Sequence, residues 1–411
     1  MKMTLRGRIA LAAGSAIRWL SRTTGRGAGA MIGGLIALHL DSSILRQLGV
    51  GRRTVVVTGT NGKSTTTGMT AAALSSIGAV ATNSEGANMD AGLVAALAAA
   101  RKAPLAALEV DEMHVPHVAD AVSPEVVVLL NLSRDQLDRV GEINNIERTL
   151  RASLARHPDT VVVANCDDVL IASAAYDCPK VVWVAAGGSW AGDSVSCPRS
   201  GEVIIREGTH WRSSGAAFAR PEPTWRTDDA NLHGPGGLCL PMTLALPGAV
   251  NRGNAALAVA AAVTMGADPG AAVAAVSGVA EVAGRYRTVQ VGEHSARLLL
   301  AKNPAGWQEA LSMVDKNAAG VVIAVNGQVP DGEDLSWLWD VRFEDFGQTR
   351  VVAAGERGTD LAVRLGYAEV AHTLVHDTVA AIRSCPAGHV EVVANYTAFL
   401  QLQRALGIHH G

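Results

Sequence analysis

The sequence predicts an α/β fold of two sheet domains, and three observations carry that reading. Apolar, β-branched runs alternate with helical stretches from Arg53 to about Gly141, the pattern of a doubly wound sheet. One of these runs, within Thr54–Ser64 (TVVVTGTNGKS), breaks into a Gly-rich turn that ends in Lys63 and Ser64 and opens a helix. Beyond a hinge near residue 285, the runs Arg297–Ala301, Val321–Asn326, Thr349–Ala354 and Val390–Ala394 again alternate with helices, as in a smaller Rossmann-like domain. With 411 residues the chain exceeds what one core typically supports. The expected division is a basic helical segment over 1–50, a central domain over 51–290 and a C-terminal domain over 291–411.

Along the chain, residues 1–40 carry Lys2, Arg6, Arg8, Arg18, Arg22 and Arg26 and no acid, interleaved with apolar residues. Three readings compete for this segment. A signal peptide is disfavoured because Arg18 and Arg22 interrupt its apolar centre. The others are a surface helix packed on the next domain and a basic amphipathic helix touching anionic lipid. No run reaches the length of a membrane span.

Val55, Val56 and Val57 read as a buried strand and Thr65 to Ala73 as the next helix. Gly59, Thr60, Asn61, Gly62, Lys63, Ser64 and Thr65 therefore sit where backbone N–H groups and a helix N-terminus converge on an anion. Gly59 and Gly62 let the backbone approach phosphate, Lys63 is placed for the β/γ oxygens of a nucleoside triphosphate, and the Ser64 hydroxyl for Mg²⁺. An ordinary glycine turn is the alternative. Val57 stands where the longer phosphate-loop pattern has Gly, so this is the shorter GTNGKST variant.

Glu109 follows the apolar strand LAALEVDE and is expected at the sheet's carboxyl edge as a Mg²⁺ ligand or the carboxylate that orients one. A helix-capping acid is the alternative, and Asp111 and Glu112 are weaker candidates for the same task. Val126–Leu132 is a fully apolar strand whose polar tail brings Asn131 and Asp135 to the carboxyl end, where open α/β sheets place ligands. Thr160–Asn165 and Lys180–Ala185 continue the sheet. Over 187–237 the pattern dissolves into Gly, Ser, Pro and Trp, read as a small β-like insertion held by Trp190, Trp211 and Trp225. An Ala-rich helix follows over Ala249–Gly266.

A formal net charge of −3 gives no nucleic-acid footprint. The five cysteines, Cys166, Cys178, Cys197, Cys239 and Cys385, form no paired spacing, which points to a reducing cytoplasm. None lies in the Gly-x-Cys-x-Gly setting of a class I glutaminase nucleophile.

The GTNGKST loop resembles the Mur ligase superfamily, and TNSEGAN (Thr82–Asn88), LEVDE (Leu108–Glu112), NLSRDQLDR (Asn131–Arg139), PGAVNRGNAALA (Pro247–Ala258), AKNPAGW (Ala301–Trp307) and DLSWLWD (Asp334–Asp340) extend the resemblance over most of residues 50 to 400. It is most similar to the synthetase subunits of that superfamily that work with a separate glutaminase. The resemblance implies a Mur-ligase-type central domain and an ATP- and Mg²⁺-dependent ligase. Its reaction would turn the D-Glu α-carboxylate of the lipid II stem peptide into D-isoglutamine through an acyl phosphate. Ammonia would come from a GatD-type glutaminase, in a heterodimer acting at the inner face of the membrane.

The same resemblance assigns Asn251 to the adenine site, with Asn254 beside it, and Arg285 to phosphate. Asn83, Asn88, Lys302 and Asn303 are assigned to the substrate. For the two asparagines of the Ala-rich helix, N-capping is the alternative. Gln136 replaces a metal-binding His, no Lys occurs between Lys102 and Lys180 to carry a second metal, and Leu299 replaces the ribose-binding Asp. A single Mg²⁺, held by Ser64 and Glu109, is therefore expected. The family's four-cysteine zinc ribbon is reduced to Cys197, with Ser200, Ser213 and Ser214 nearby, so zinc is not expected. An Asp of DLSWLWD is implied to complete the glutaminase's Cys-His pair. Asp340 is favoured over Asp334, the alternative being core tryptophans and a capping Asp. The competing functions are a stand-alone Mur- or folylpolyglutamate-type amino-acid ligase and a non-enzymatic nucleotide-binding protein.

Overall fold

The computed structural model describes residues 3–23, 30–83, 87–134, 142–187, 190, 192–280, 286–332, 334–346 and 349–408. The chain divides into one unit of residues 1–132 and 141–280 and a second of 133–140 and 281–411.

The first unit begins with helices α1 (Leu5–Thr23), α2 (Ala30–Leu40) and α3 (Ile44–Gly49). These are part of the unit rather than a separate segment: α2 and α3 pack on α5 (Asp90–Ala99) and α3 on α6 (Val115–Val122). Between them in sequence come β1 (Arg53–Thr58), α4 (Lys63–Leu74), β2 (Val80–Thr82) and β3 (Leu105–Glu109). The chain goes on through β4 (Val126–Leu129), α7 (Glu142–Ala155), β5 (Val161–Asn165), α8 (Val169–Ala175) and β6 (Val181–Ala185). Strands β1, β3 and β4 are apolar runs buried on both faces, as a parallel sheet covered by helices requires. β1 lies between β3 and β4, pairing Val57 with Glu109 on one side and Thr58 with Leu129 on the other. The chain crosses from one side of β1 to the other after β3, so ligands are expected at the carboxyl ends of these three strands.

The insertion is smaller than the composition of 187–237 suggests. Among the described residues only β7 (Ile204–Glu207) and β8 (His210–Ser213) form a separate two-stranded sheet. β9 (Trp225–Thr227), β10 (Asn231–His233) and β11 (Cys239–Pro241) extend the main sheet to nine strands, β9 joining β6 in parallel through Val184–Trp225 and Ala185–Arg226. Three-residue strands are too short to show periodicity, which hid them in the sequence. Trp225 is thus a sheet residue, while Trp211 is buried with Cys197, Ile204 and Phe218 under the insertion. Its indole donates to the Cys166 carbonyl at 3.0 Å, and Arg199 lies over the rings of Tyr176 and Phe218. Trp190 is only partly buried.

Helices α9 (Ala249–Thr264) and α10 (Pro269–Ser277) close the unit, with α9 packed on α4 and across β4, β5 and β6. Its alanines permit that close approach.

In the second unit a six-stranded sheet runs β12 (Tyr286–Val291), β13 (His294–Leu300), β17 (Gly388–Ala394), β14 (Gly320–Ala324), β15 (Val351–Ala354) and β16 (His372–Leu374). All pairs are parallel except β12 with β13. Because β12 is hydrogen-bonded to β13 along its length, a boundary at 290/291 would cut a strand, and the structural division falls after Ala280. Helices α11 (Pro304–Ser312), α12 (Gly358–Tyr367), α13 (Thr378–Arg383) and α14 (Tyr396–Ala405) cover this sheet. Glu391 on β17 is fully buried and takes a bidentate bond from Arg297 at 2.9 and 2.6 Å, so the charge is paired inside the sheet.

Candidate functional site

The loop between β1 and α4 is shaped by backbone conformations and by one asparagine. Gly59 has φ +141° and Gly62 φ +81°, both in the region that disfavours a side chain. A Cβ on Gly59 would stand 2.8 Å from Leu130 Cβ. One on Gly62 would stand 2.9 Å from the Asn254 amide oxygen. Gly62 is the N-cap of α4 and offers no side-chain acceptor, so the first-turn amides of Lys63, Ser64 and Thr65 face the loop. Asn131 grips the opposite side: its backbone oxygen accepts from Thr60 N at 2.9 Å, its Oδ1 accepts from Asn61 N at 2.9 Å, and its Nδ2 donates to Asn61 O at 3.1 Å. Asn131, expected to line the cleft for substrate, is bonded to the phosphate loop itself.

The Lys63 ammonium is folded onto its own loop. It donates to Gly59 O at 2.6 Å and Thr60 O at 3.3 Å and pairs with Glu112 at 3.1 Å, the first and last of these buried. Glu112, one of the two weaker candidates of the LEVDE stretch, therefore holds the lysine. Glu109 is 2% exposed at the end of β3, one strand over from the loop. Its Oε2 is buried without a hydrogen-bond partner. A buried carboxylate oxygen left unpaired is costly, and a cation is the partner that removes the cost. The donor set of hard oxygens from Glu109 and the Ser64 hydroxyl fits Mg²⁺. Among the described residues no cluster of three or more His, Cys, Asp or Glu side chains is arranged to hold a metal.

Asn83 is tied to the backbone of Glu109 on both sides, its Oδ1 accepting from Glu109 N and its Nδ2 donating to Glu109 O, each at 2.8 Å. It fixes where the carboxylate stands. Asn88 is half-buried, and its backbone oxygen accepts from Asp111 N at 3.2 Å. Asn251 and Asn254 lie inside α9, whose N-cap is Gly248, so neither caps the helix. Asn251 is fully buried and donates to Pro247 O at 2.6 Å, whereas Asn254 faces the loop at Gly62. Asp135 and Arg285, and Gln136 with them, lie outside the described residues.

One contributor escaped the sequence reading. Asp168 caps α8 through Leu170 N and Ile171 N and also accepts from Leu132 N at 3.0 Å, tying down the chain just beyond Asn131. Burial pushes its carboxyl up to about 6, against the pull of those three N–H groups. An Asp immediately before a helical run was the available signal.

The remaining expected residues belong to the second unit. Asn303 is the N-cap of α11, accepting from Gly306 N at 2.7 Å, and the Lys302 ammonium lies 5.1 Å from the Tyr396 ring. Asp334 accepts from Ser336 N at 2.8 Å. Asp340 ends the short turn Ser336–Trp339 and stands 3.8 Å from Arg134. Of the two tryptophans beside it, Trp337 is buried and stacked on Trp307, while Trp339 is 56% exposed and meets the exposed Tyr367 edge-on. They are thus one core and one surface aromatic.

A glycine-rich turn closed by a lysine, with a buried carboxylate at the end of the neighbouring strand, is the arrangement expected of a nucleotide-binding α/β protein. The description "Mur ligase middle domain" matches residues 57–262, half of the sequence, and the chain belongs to the Mur ligase family. Its second unit defines the branch: "MurT ligase C-terminal" matches residues 300–399, and the chain is a member of the MurT group. The subunit MurT of lipid II isoglutaminyl synthase (glutamine-hydrolyzing) from Streptococcus pneumoniae is 28% identical over 98% of both chains. The protein of that name from Staphylococcus aureus is 28% identical over 86% of each. Among solved structures, a pseudomurein peptide ligase type C from Methanothermus fervidus superposes with a TM-score of 0.71 at 16% identity, covering 89% of this chain and 80% of that one. That likeness is one of fold.

Proposed function

We propose that this chain is the synthetase half of a two-chain amidotransferase that amidates the D-Glu α-carboxylate of lipid II during peptidoglycan synthesis. The observation that carries the reading is the pairing of an intact GTNGKST loop with the buried Glu109 carboxylate, whose Oε2 has no hydrogen-bond partner, in a chain of the MurT group. The first-turn amides of α4 take up the ATP phosphates, and Lys63 exchanges Glu112 for the β/γ oxygens. Bound Mg²⁺ supplies charge neutralisation at the phosphates, and Ser64 and Glu109 are the residues that would hold it. The γ-phosphoryl group passes to a carboxylate oxygen of the acceptor, giving an acyl phosphate and ADP. Ammonia then adds to the carbonyl carbon, loses a proton, and phosphate leaves with the C–O electron pair.

The ammonia source in this reading is a GatD-type glutaminase, since no cysteine here has a nucleophile's setting. Of the four cysteines other than exposed Cys239, burial pushes Cys166 up to about 12, Cys178 up to about 11 and Cys385 upward, away from the reactive thiolate, and Cys197 is packed in an apolar cluster. Asp340, beside exposed Trp339 and Tyr367, is the carboxylate we assign to the glutaminase interface. Both reactions would take place at the inner face of the membrane, where the acceptor is anchored.

The test is mass spectrometry of a water-soluble lipid II analogue incubated with the purified chain, ATP, Mg²⁺ and ammonium chloride. Loss of one carboxyl for one amide is expected, with glutamine replacing ammonium only when the glutaminase is added. Incorporation of an amino acid, or ATP left intact, would overturn the proposal.

A further inference from the structure

Helices α1 and α2 bury one side against the unit and present large apolar residues on the other. On α1, Ala10, Leu11 and Gly14 are buried, whereas Leu5, Ile9, Ala12 and Ala16 are exposed, at spacings of four, three and four that form one stripe along a helix. Leu5 is 72% and Ile9 57% exposed. On α2, Met31, Ile32 and Leu35 are 49%, 47% and 56% exposed. Nothing in the described chain covers these side chains, and five such residues on one helical pair exceed the scattered apolar exposure of an ordinary surface.

The charge pattern says what kind of surface would cover them. Residues 1–40 hold six Lys/Arg and no acid, although the whole chain has more acids than bases. The first acid, Asp41, is turned inward onto Ser43 and Gln47, with Arg6 as its neighbouring cation. Arg8 is exposed on the same helix as Leu5 and Ile9. Among the described residues no helix is long and apolar enough to cross a membrane, so the pair lies on a surface or on nothing.

We infer that α1 and α2 form an interfacial anchor that seats Leu5, Ile9, Met31, Ile32 and Leu35 at the headgroup boundary of an anionic bilayer, with Arg8 on the lipid phosphates. The inference rests on the proposed acceptor being membrane-anchored, and it names the part of the chain that meets that membrane. A protein partner or a second copy would satisfy the apolar stripe but not the exclusion of every acid from 1–40.

The experiment is co-sedimentation of the full chain with vesicles of phosphatidylcholine containing about one third phosphatidylglycerol, and with pure phosphatidylcholine, across a NaCl series. Binding to the anionic vesicles only, weakened by salt, is expected. The double variant Ile9→Glu/Leu35→Glu should lose at least ten-fold in partitioning, and Arg8→Ala roughly five-fold, the loss typical of one cation near such a surface. All three positions are exposed, so melting temperature and amidation of the soluble analogue should match the parent in each variant. Failure to sediment, equal binding to neutral vesicles, variants that bind like the parent, or a solution dimer abolished by the double variant would each overturn the anchor. A chain that sediments as expected yet leaves the soluble analogue unamidated would instead sink the proposed function.

Discussion

Replacing Asn131 by alanine separates two roles that the sequence alone could not tell apart. If Asn131 clamps the phosphate loop, Asn131→Ala removes two side-chain bonds to the Asn61 backbone, of 2.9 and 3.1 Å, and leaves the backbone bond to Thr60 in place. Each such bond is worth about 0.5–1.5 kcal/mol, so the loop loses about 1–3 kcal/mol of its ordering. Since about 1.4 kcal/mol is ten-fold in affinity, the dissociation constant for Mg²⁺ and a non-hydrolysable ATP analogue should rise roughly five- to 150-fold. Calorimetric titration without any acceptor present reads this effect directly. Asn131→Asp keeps the acceptor for Asn61 N but turns a carboxylate oxygen onto Asn61 O and adds a negative charge beside the phosphates, so it should bind nucleotide at least as weakly as the alanine variant. Nucleotide affinity within two-fold of the parent, together with a raised KM for the lipid II analogue, would refute the clamp and restore the substrate role.

Glu109→Gln should lower amidation by roughly 10²-fold or more and demand higher Mg²⁺ for what remains, as loss of a charge-stabilising group in a dry site does; an unchanged Mg²⁺ titration would remove Glu109 from the metal. Trp211→Ala, which empties the cluster with Cys197 and Phe218, should cost about 3–5 kcal/mol in urea unfolding, and a loss below about 1 kcal/mol would show that the insertion does not rest on it. The Asp168 carboxyl, raised in the folded chain to about 6 from its ordinary 3.8, binds its proton more tightly folded than unfolded. Its contribution therefore favours folding below about pH 4 and is lost as pH rises through about 6. Asp168→Asn should flatten that fall in denaturation curves between these limits, and parallel parent and variant curves would contradict it.

Much of the first unit was legible in local sequence because its signals are local. Three valines and a threonine leading into GTNGKS read as a buried strand meeting a helix through a glycine turn, and Glu109 sits at the carboxyl edge because an apolar run ends there. The apolar stripe of α1 and the six cations of residues 1–40 were equally visible, though not which face remains uncovered. What tertiary structure decided are relations between residues far apart in sequence. Asn131 binds Asn61 seventy positions away, Asn83 frames Glu109, Glu112 holds Lys63, and Asp168 reaches Leu132, none of which leaves a periodicity to read. The short strands β9 to β11 joined the main sheet for the same reason: three residues carry no pattern, and only pairing to β6 and to each other defines them. A side chain's type sets the hydrogen bonds it can make, but the folded backbone alone chooses the partner that receives them.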